Sequence, residues 1–115
     1  MKKLNKIMLA LSILPTLLTS VFLFFMNDTV PMHYNASGAV DRYGSKYENF
    51  ILPAIILFMY AFYIVYTKIY TKYSTNSVEK INNNVKITAI LVTSIIAAFN
   101  ILQLMFLILA ILKPD

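Results

Sequence analysis

The sequence predicts an all-α membrane protein with three transmembrane helices and a short structured loop between the first two. Three long apolar runs, at about residues 7–26, 50–70 and 87–112, support this fold class. Of the 115 residues, 59% are hydrophobic and only 13% are charged, whereas soluble domains carry about 25% charged residues. A chain this short could not bury the excess apolar surface, so lipid is the expected solvent for a single domain spanning residues 1–115.

The first run is uncharged and 20 residues long. At about 1.5 Å per residue, such a helix crosses a hydrocarbon core of about 30 Å. A cleaved signal peptide is the alternative, because Lys2, Lys3 and Lys6 precede the run. The apolar part of a signal peptide has about 7–15 residues and ends at small side chains. This run is longer and ends in Phe24, Phe25 and Met26, which favours a retained span.

The second and third runs carry signals for helix starts. Ser45 and Glu48 precede the second run with the spacing of a capping box, in which both side chains bond to free amides. Asn76 and Glu79 have the same spacing before the third run, so we expect that helix to begin near Ser77 and to project beyond the membrane. The third run is long enough to cross with some tilt.

The distribution of basic residues predicts the orientation. Seven lysines lie on one side, in the N-terminus, at position 68 and in the inner loop at residues 71–86. The other side carries Arg42, Lys46 and Lys113. Cytoplasmic segments are enriched in Lys and Arg. We therefore expect a multi-pass protein of the cell membrane with a cytoplasmic N-terminus, an extracellular C-terminus and an outer loop at residues 27–49.

Polar side chains within the spans favour helix–helix packing. Asn100 and Gln103 are expected to face other helices, because an amide that faces lipid is costly. They share one face of span three with Thr93 and Ala97. Span one has a similar face, formed by Ser12, Thr16, Thr19 and Ser20. A polar path for an ion is the alternative, but no charged residue or histidine lies within a span core, which disfavours a pump. The tyrosines of span two, at positions 60, 63, 66 and 70, indicate packing or, alternatively, a groove for a hydrophobic ligand.

The outer loop concentrates the residues that can carry chemistry. Residues 27–49 hold the single histidine, the single arginine, both glycines and three of the five acids. Gly38 can adopt a positive φ, so a turn is expected around Ala36, Ser37 and Gly38. The segment should form a small hairpin or a compact hooked loop.

This loop also resembles a known family. The residues that carry the resemblance are spaced as Pro31-x-His33-x-Asn35-x-x-Gly38-x-x-Asp41-x-x-Gly44-x-Lys46, followed by an apolar helix containing Pro53. The pattern resembles the N-terminal membrane domain, of unknown function, in the SdpI-type immunity proteins that act against a sporulation-delaying toxin of Gram-positive bacteria. The resemblance covers about residues 8–60, and full members of that family are longer.

The resemblance implies an immunity protein that binds or neutralises a membrane-active peptide at the outer face. Its binding residues would be those of the motif: Pro31, His33, Asn35, Gly38, Asp41 and Lys46. An accessory subunit of a membrane transporter or sensor complex is the alternative function. The expected partners are the lipid bilayer and either a peptide or a larger membrane protein, and no nucleic acid, because the net charge of +5 is explained by lysines at the span ends.

Besides a peptide- or lipid-binding site, the residues of the loop leave three chemical interpretations open. His33 and Asp41, with Asp28 or Glu48, could bind a divalent metal, although a single histidine without a partner at a fixed spacing is limited evidence. In a purely structural network, Asn35 and Asp41 would bond backbone amides, and Lys46 or Arg42 would pair with an acid. An enzyme is the least expected reading, because no nucleophile stands beside a base, and no cofactor is expected.

Overall fold

The computed structural model describes residues 2–112 and confirms the predicted fold class. Three helices are long and apolar enough to cross a membrane, and a two-stranded antiparallel sheet separates the first two. The elements are α1 (Lys2–Phe22) with a 3-10 turn (Leu23–Phe25), β1 (Thr29–Tyr34), β2 (Val40–Ser45), a second 3-10 turn (Lys46–Phe50), α2 (Ile51–Tyr73) and α3 (Val78–Leu112). The outer loop is therefore a hairpin, the first of the two forms expected for it.

Half of the predicted cap forms, but on the 3-10 turn before α2, because Phe50 precedes α2 itself and provides no side-chain cap. Ser45 Oγ accepts a hydrogen bond from the backbone N–H of Tyr47 at 3.3 Å. Glu48 does not complete the capping box, because its carboxylate accepts a hydrogen bond from Arg42 instead. Pro53 lies in the first turn of α2, where a backbone N–H would have no helical acceptor, so the proline is tolerated there.

The start of α3 lies next to the predicted position. Ser77 Oγ accepts from the N–H of Lys80 at 3.2 Å, so Ser77 caps the helix, rather than Asn76 with Glu79. Residues 71–73 and 78–86, assigned to the inner loop from sequence, are helical, and only residues 74–77 connect α2 to α3. The 35 residues of α3 span about 52 Å at 1.5 Å per residue. Its polar first turns can therefore stand beyond the hydrocarbon core, where water solvates them.

Two clusters of buried side chains hold the bundle together. The first joins the three helices through Met8, Ile56, Tyr63, Ala89 and Ile96. The second packs the hairpin against the end of α3 and consists of Met26, Val30, Leu107 and Ala110. Because lipid tails are as apolar as these side chains, close packing and interhelical hydrogen bonds provide the specificity.

Amides in α3 bridge to other elements, as the sequence predicted. Asn100 Nδ2 donates to the backbone carbonyl of Leu11 at 2.9 Å. Gln103 Nε2 donates to Thr19 Oγ1 at 2.9 Å and to the carbonyl of Asn49 at 2.8 Å.

The polar face of α1 is narrower than its sequence spacing suggested. Ser12 and Thr19 are fully buried against the other helices. Ser20 is exposed and satisfies its hydroxyl locally, by donating to the carbonyl of Thr16 at 2.8 Å. A hydroxyl that bonds to its own helix can face lipid at low cost, which is why residue type alone did not define the packed face.

The bundle has two chemically different ends. One, called the hairpin end, consists of residues 26–50. The other, called the lysine end, carries Lys3, Lys6, Lys68, Lys72, Lys80 and Lys86 on the adjoining ends of the three helices. Lys113, which was counted on the outer side, and the C-terminal residue lie outside the described residues.

Candidate functional site

The hairpin turn is built by two residues of the sequence motif. Asn35 Oδ1 accepts from the backbone N–H groups of Ser37 and Ala39, both at 3.0 Å, and from the Ser37 hydroxyl. Gly38 has a φ of +84°, which side chains other than glycine rarely adopt. Asn35 and Gly38 therefore shape the loop, and the predicted role of Asn35 as a partner of backbone amides agrees with these contacts.

His33 and Asp41 meet across the two strands. Their Nδ1 and Oδ1 atoms are 2.5 Å apart, and both side chains are exposed. Of the two partners plausible for Asp41, a loop amide and the His33 side chain, the structure shows His33. Within residues 2–112, no further histidine, cysteine or acidic side chain that could bind a metal joins the pair. Protein sites for transition metals usually supply three or more ligands.

The base of the hairpin is closed by Lys46. Its Nζ lies 3.5 Å from Asp28 Oδ1 and 5.5 Å from the centre of the Tyr47 ring. Its backbone N–H donates to the carbonyl of Asp28 at 2.9 Å. Pro31, the third residue of β1, is buried. The expected ion pair with an acid is present, and it lies away from the His33–Asp41 pair.

A cleft of about 280 Å³ opens between the hairpin, the start of α2 and α3, and we call it the hairpin cleft. Arg42 and Glu48 form its rim, and Asn49 and Gln103 line its polar part. Its apolar walls are Met32, Ile51, Leu52, Ile55, Leu102 and Phe106. None of the six residues predicted as binding residues lines it.

The rim depends on the absence of a side chain at Gly44. Arg42 Nη2 donates to Glu48 Oε1 at 3.0 Å. A Cβ atom at position 44 would overlap the Glu48 carboxylate and come within 2.8 Å of Met32 Cγ. Gly44 therefore leaves room for the Arg42–Glu48 ion pair to lie against the strand.

The two buried amides offer hydrogen-bond acceptors. Asn49 and Gln103 are 5% and 3% exposed. Asn49 Nδ2 donates to the carbonyl of Lys46 at 2.9 Å and to Met26 Sδ at 3.6 Å, and Gln103 Nε2 also makes two bonds. In the described part of the chain, no hydrogen bond engages the side-chain oxygen of either amide. Both oxygens are left as acceptors for a ligand with N–H groups.

Tyr34 contributes no charge to the hairpin. Burial, and then the neighbouring Tyr43, raise the pKa of the Tyr34 hydroxyl above its ordinary value. The phenol therefore stays neutral at physiological pH. The charges near the hairpin cleft are those of the ion pairs described above.

A second, larger groove of about 440 Å³ lies between α2 and α3. It is lined almost entirely by apolar and aromatic side chains, including Phe58, Phe62, Tyr63 and Tyr66. It includes Tyr63 and Tyr66 from the tyrosine side of span two, whereas Tyr60 and Tyr70 do not line it. Acyl chains can fill such a groove without any specific polar contact, so it defines a ligand less well than the hairpin cleft does.

Sequence reasoning missed the hairpin cleft for an identifiable reason. Arg42, Glu48 and Asn49 lie inside the outer loop, but neither their spacing nor the motif distinguished them from surface charges. Gln103 was recognised only as a packing residue. One signal in the sequence pointed to Gln103, because an amide within the membrane needs hydrogen-bond partners on another element.

Comparisons with known proteins support the membrane domain. Residues 10–57 match the family model described as "Domain of unknown function (DUF1648)"; they include α1 from Ala10 onward, the whole hairpin and the first turns of α2. An uncharacterized protein of Archaeoglobus fulgidus is 42% identical over 67 residues, which are 58% of this chain and 35% of that protein. The chain thus spans about a third of the length of this relative. No solved structure matches. This protein is a small three-helix membrane protein whose residues 10–57 are similar to DUF1648 domains.

Proposed function

We propose that this protein protects the membrane by binding a membrane-active peptide in the hairpin cleft, at the outer face. The observation that carries the proposal is the composition of the cleft, which combines apolar walls, a cation and an anion at the rim, and two amide acceptors. An amphipathic peptide at the membrane boundary presents apolar side chains together with N–H groups and charges. Each of these groups has a counterpart in the cleft, in a region where little water competes for the hydrogen bonds.

The charge distribution supports an outward-facing cleft. Seven lysines of the described residues belong to the lysine end, whereas the hairpin end carries Arg42 and Lys46. Under the positive-inside rule, the lysine end faces the cytoplasm. The cleft would then open toward peptides that arrive from outside, as the resemblance to SdpI-type immunity proteins implies.

In this proposal the motif residues support the cleft more than they contact the ligand. Asn35 and Gly38 form the turn, Lys46 holds the base, and Gly44 leaves room for the Arg42–Glu48 pair. His33 and Asp41 remain exposed and available as a secondary contact. The binding residues proposed here are Arg42, Glu48, Asn49 and Gln103.

The test is survival of cells challenged with a set of membrane-active peptides, with and without the protein. We expect the wild-type protein to protect against at least one peptide, and Arg42→Gln and Glu48→Gln to abolish that protection at unchanged membrane abundance. Lys86→Gln is the matched control, since it also removes one charge but lies at the lysine end. Full protection by both cleft variants, or no protection by the wild-type protein, contradicts the proposal. Co-purification of a stoichiometric larger membrane protein, without any effect on survival, would favour an accessory subunit.

A further inference from the structure

A pocket of about 420 Å³ lies at the lysine end of the bundle, and its mostly apolar lining carries several polar side chains. Four of its residues come from one face of α2, namely Thr67, Lys68, Thr71 and Lys72, and Asn5 contributes from α1. Tyr63 closes its deep side. We call this the lysine pocket.

The lysine pocket is rich in hydrogen-bond donors and positive charge. Asn5 Oδ1 accepts from the Tyr63 hydroxyl at 3.2 Å, which leaves the amide N–H groups of Asn5 for a ligand. No acid pairs with Lys68 or Lys72 within residues 2–112. Among residues 2–112, Glu79 is the one carboxylate at this end, and it belongs to α3 and does not line the pocket. A ligand that fits must therefore be an anion that accepts hydrogen bonds.

The position of the lysine pocket indicates where that anion comes from. Lys68 and Lys72 lie in the last two turns of α2, directly after its apolar stretch, at the level of the phospholipid headgroups. Val65 and Ile69, on the same helix, are exposed to the acyl chains. We propose that the lysine pocket holds the phosphate headgroup of an anionic phospholipid from the adjoining leaflet. Basic pockets between transmembrane helices are suited to such headgroups.

The pocket is distinct from the general positive charge of this end. Lys80 and Lys86 lie on α3 and do not line it. They attract an anionic surface as any exposed lysine does, without a defined geometry. Lys68 and Lys72, in contrast, are one helical turn apart and line the pocket together with Thr71 and Asn5, so one phosphate can contact several donors at once. The Thr67 hydroxyl is not one of these donors, because it donates to the carbonyl of Ile64 at 3.0 Å.

The experiment uses the full chain, purified in a nonionic detergent and titrated with single lipids. Native mass spectrometry counts the bound lipids, and the thermal unfolding midpoint reports stabilisation. We expect about one phosphatidylglycerol per chain in preference to phosphatidylcholine. Lys68→Gln and Lys72→Gln should each weaken phosphatidylglycerol binding about fivefold. Lys68→Arg and Lys72→Arg should retain binding, which separates lost charge from lost fold.

The matched control is the double variant Lys80→Gln with Lys86→Gln, which removes two charges from the same end but outside the pocket. It should bind phosphatidylglycerol nearly as well as the wild-type protein. A loss as large as that of the pocket variants, or equal binding of phosphatidylcholine, overturns the proposal. Inorganic phosphate should not stabilise the protein as the lipid does. Equal stabilisation by phosphate would identify a free-anion site and contradict the lipid assignment.

Discussion

At the residue scale, Gln103 joins three elements with one side chain. It belongs to α3, donates to Thr19 on α1 and donates to the carbonyl of Asn49 before α2. The side chain is almost fully buried. In a bilayer, water cannot replace these partners, so one amide positions the cleft, the hairpin base and two spans relative to each other.

We predict that Gln103→Leu destabilises the protein by about 1–2 kcal/mol, because it leaves buried acceptors on Thr19 and Asn49 without their donor. Unfolding in mixed micelles of increasing dodecyl sulfate content, followed by circular dichroism, measures the change. Ser94→Ala is the control, since the Ser94 hydroxyl is exposed and bonds to its own helix at Ile90; its effect should be near zero. An unchanged stability of Gln103→Leu would show that the bridge contributes nothing to the fold.

At the element scale, side-chain contacts hold the hairpin at its turn and at its base. Asn35 organises the turn, and Lys46 with Asp28 closes the base. The strands between them are irregular, with shifts in register on both sides of His33. Such irregularities bend a strand and re-aim its side chains. The turn and base contacts therefore define the shape that presents Arg42 to the cleft.

We predict that Asn35→Ala loosens the turn by about 1 kcal/mol, because the backbone N–H groups of Ser37 and Ala39 lose their shared acceptor. Hydrogen–deuterium exchange should become faster at residues 36–39 and stay unchanged in α2 and α3. Ser37→Ala is the control, since it removes a hydroxyl but keeps both backbone bonds to Asn35. If both variants exchange like the wild-type protein, the Asn35 contacts do not stabilise the hairpin.

At the scale of the whole molecule, the two ends present different surfaces to the two sides of the membrane. The hairpin end offers a small cleft with paired charges, and the lysine end offers a cluster of cations that form no ion pair within residues 2–112. The proposed function requires the hairpin end to face outward. Because the chain contains no cysteine, introduced thiols can report this orientation without background.

We predict that Ser37→Cys reacts with a membrane-impermeant thiol reagent added to intact cells, whereas Asn83→Cys reacts only after the membrane is opened. Both positions are exposed to solvent in the structure. The reason is the excess of lysines at the end that contains Asn83. Detergent-permeabilised cells serve as the control for thiol reactivity. Labelling of position 83 alone in intact cells would show that the orientation is the reverse of the predicted one. The hairpin cleft would then not face outward.

The sequence by itself determined the membrane class, the three spans and the turn of the hairpin. These features depend on short-range chemistry. A run of apolar residues partitions into lipid whatever its partners are, and Asn35 and Gly38 form a turn with neighbours two to four residues away. The faces of Asn100 and Gln103 were also predictable, because a buried amide must find a partner.

Only the tertiary structure decided the candidate site. Arg42, Asn49 and Gln103 come from a strand, a 3-10 turn and α3, and the bond between Gln103 and Asn49 spans 54 positions of the chain. Whether such residues meet depends on the position of the hairpin relative to α3. The packing of Met26 and Val30 against Leu107 and Ala110 fixes that position. Helical periodicity states which face is polar, but packing between elements determines which residues share a cleft.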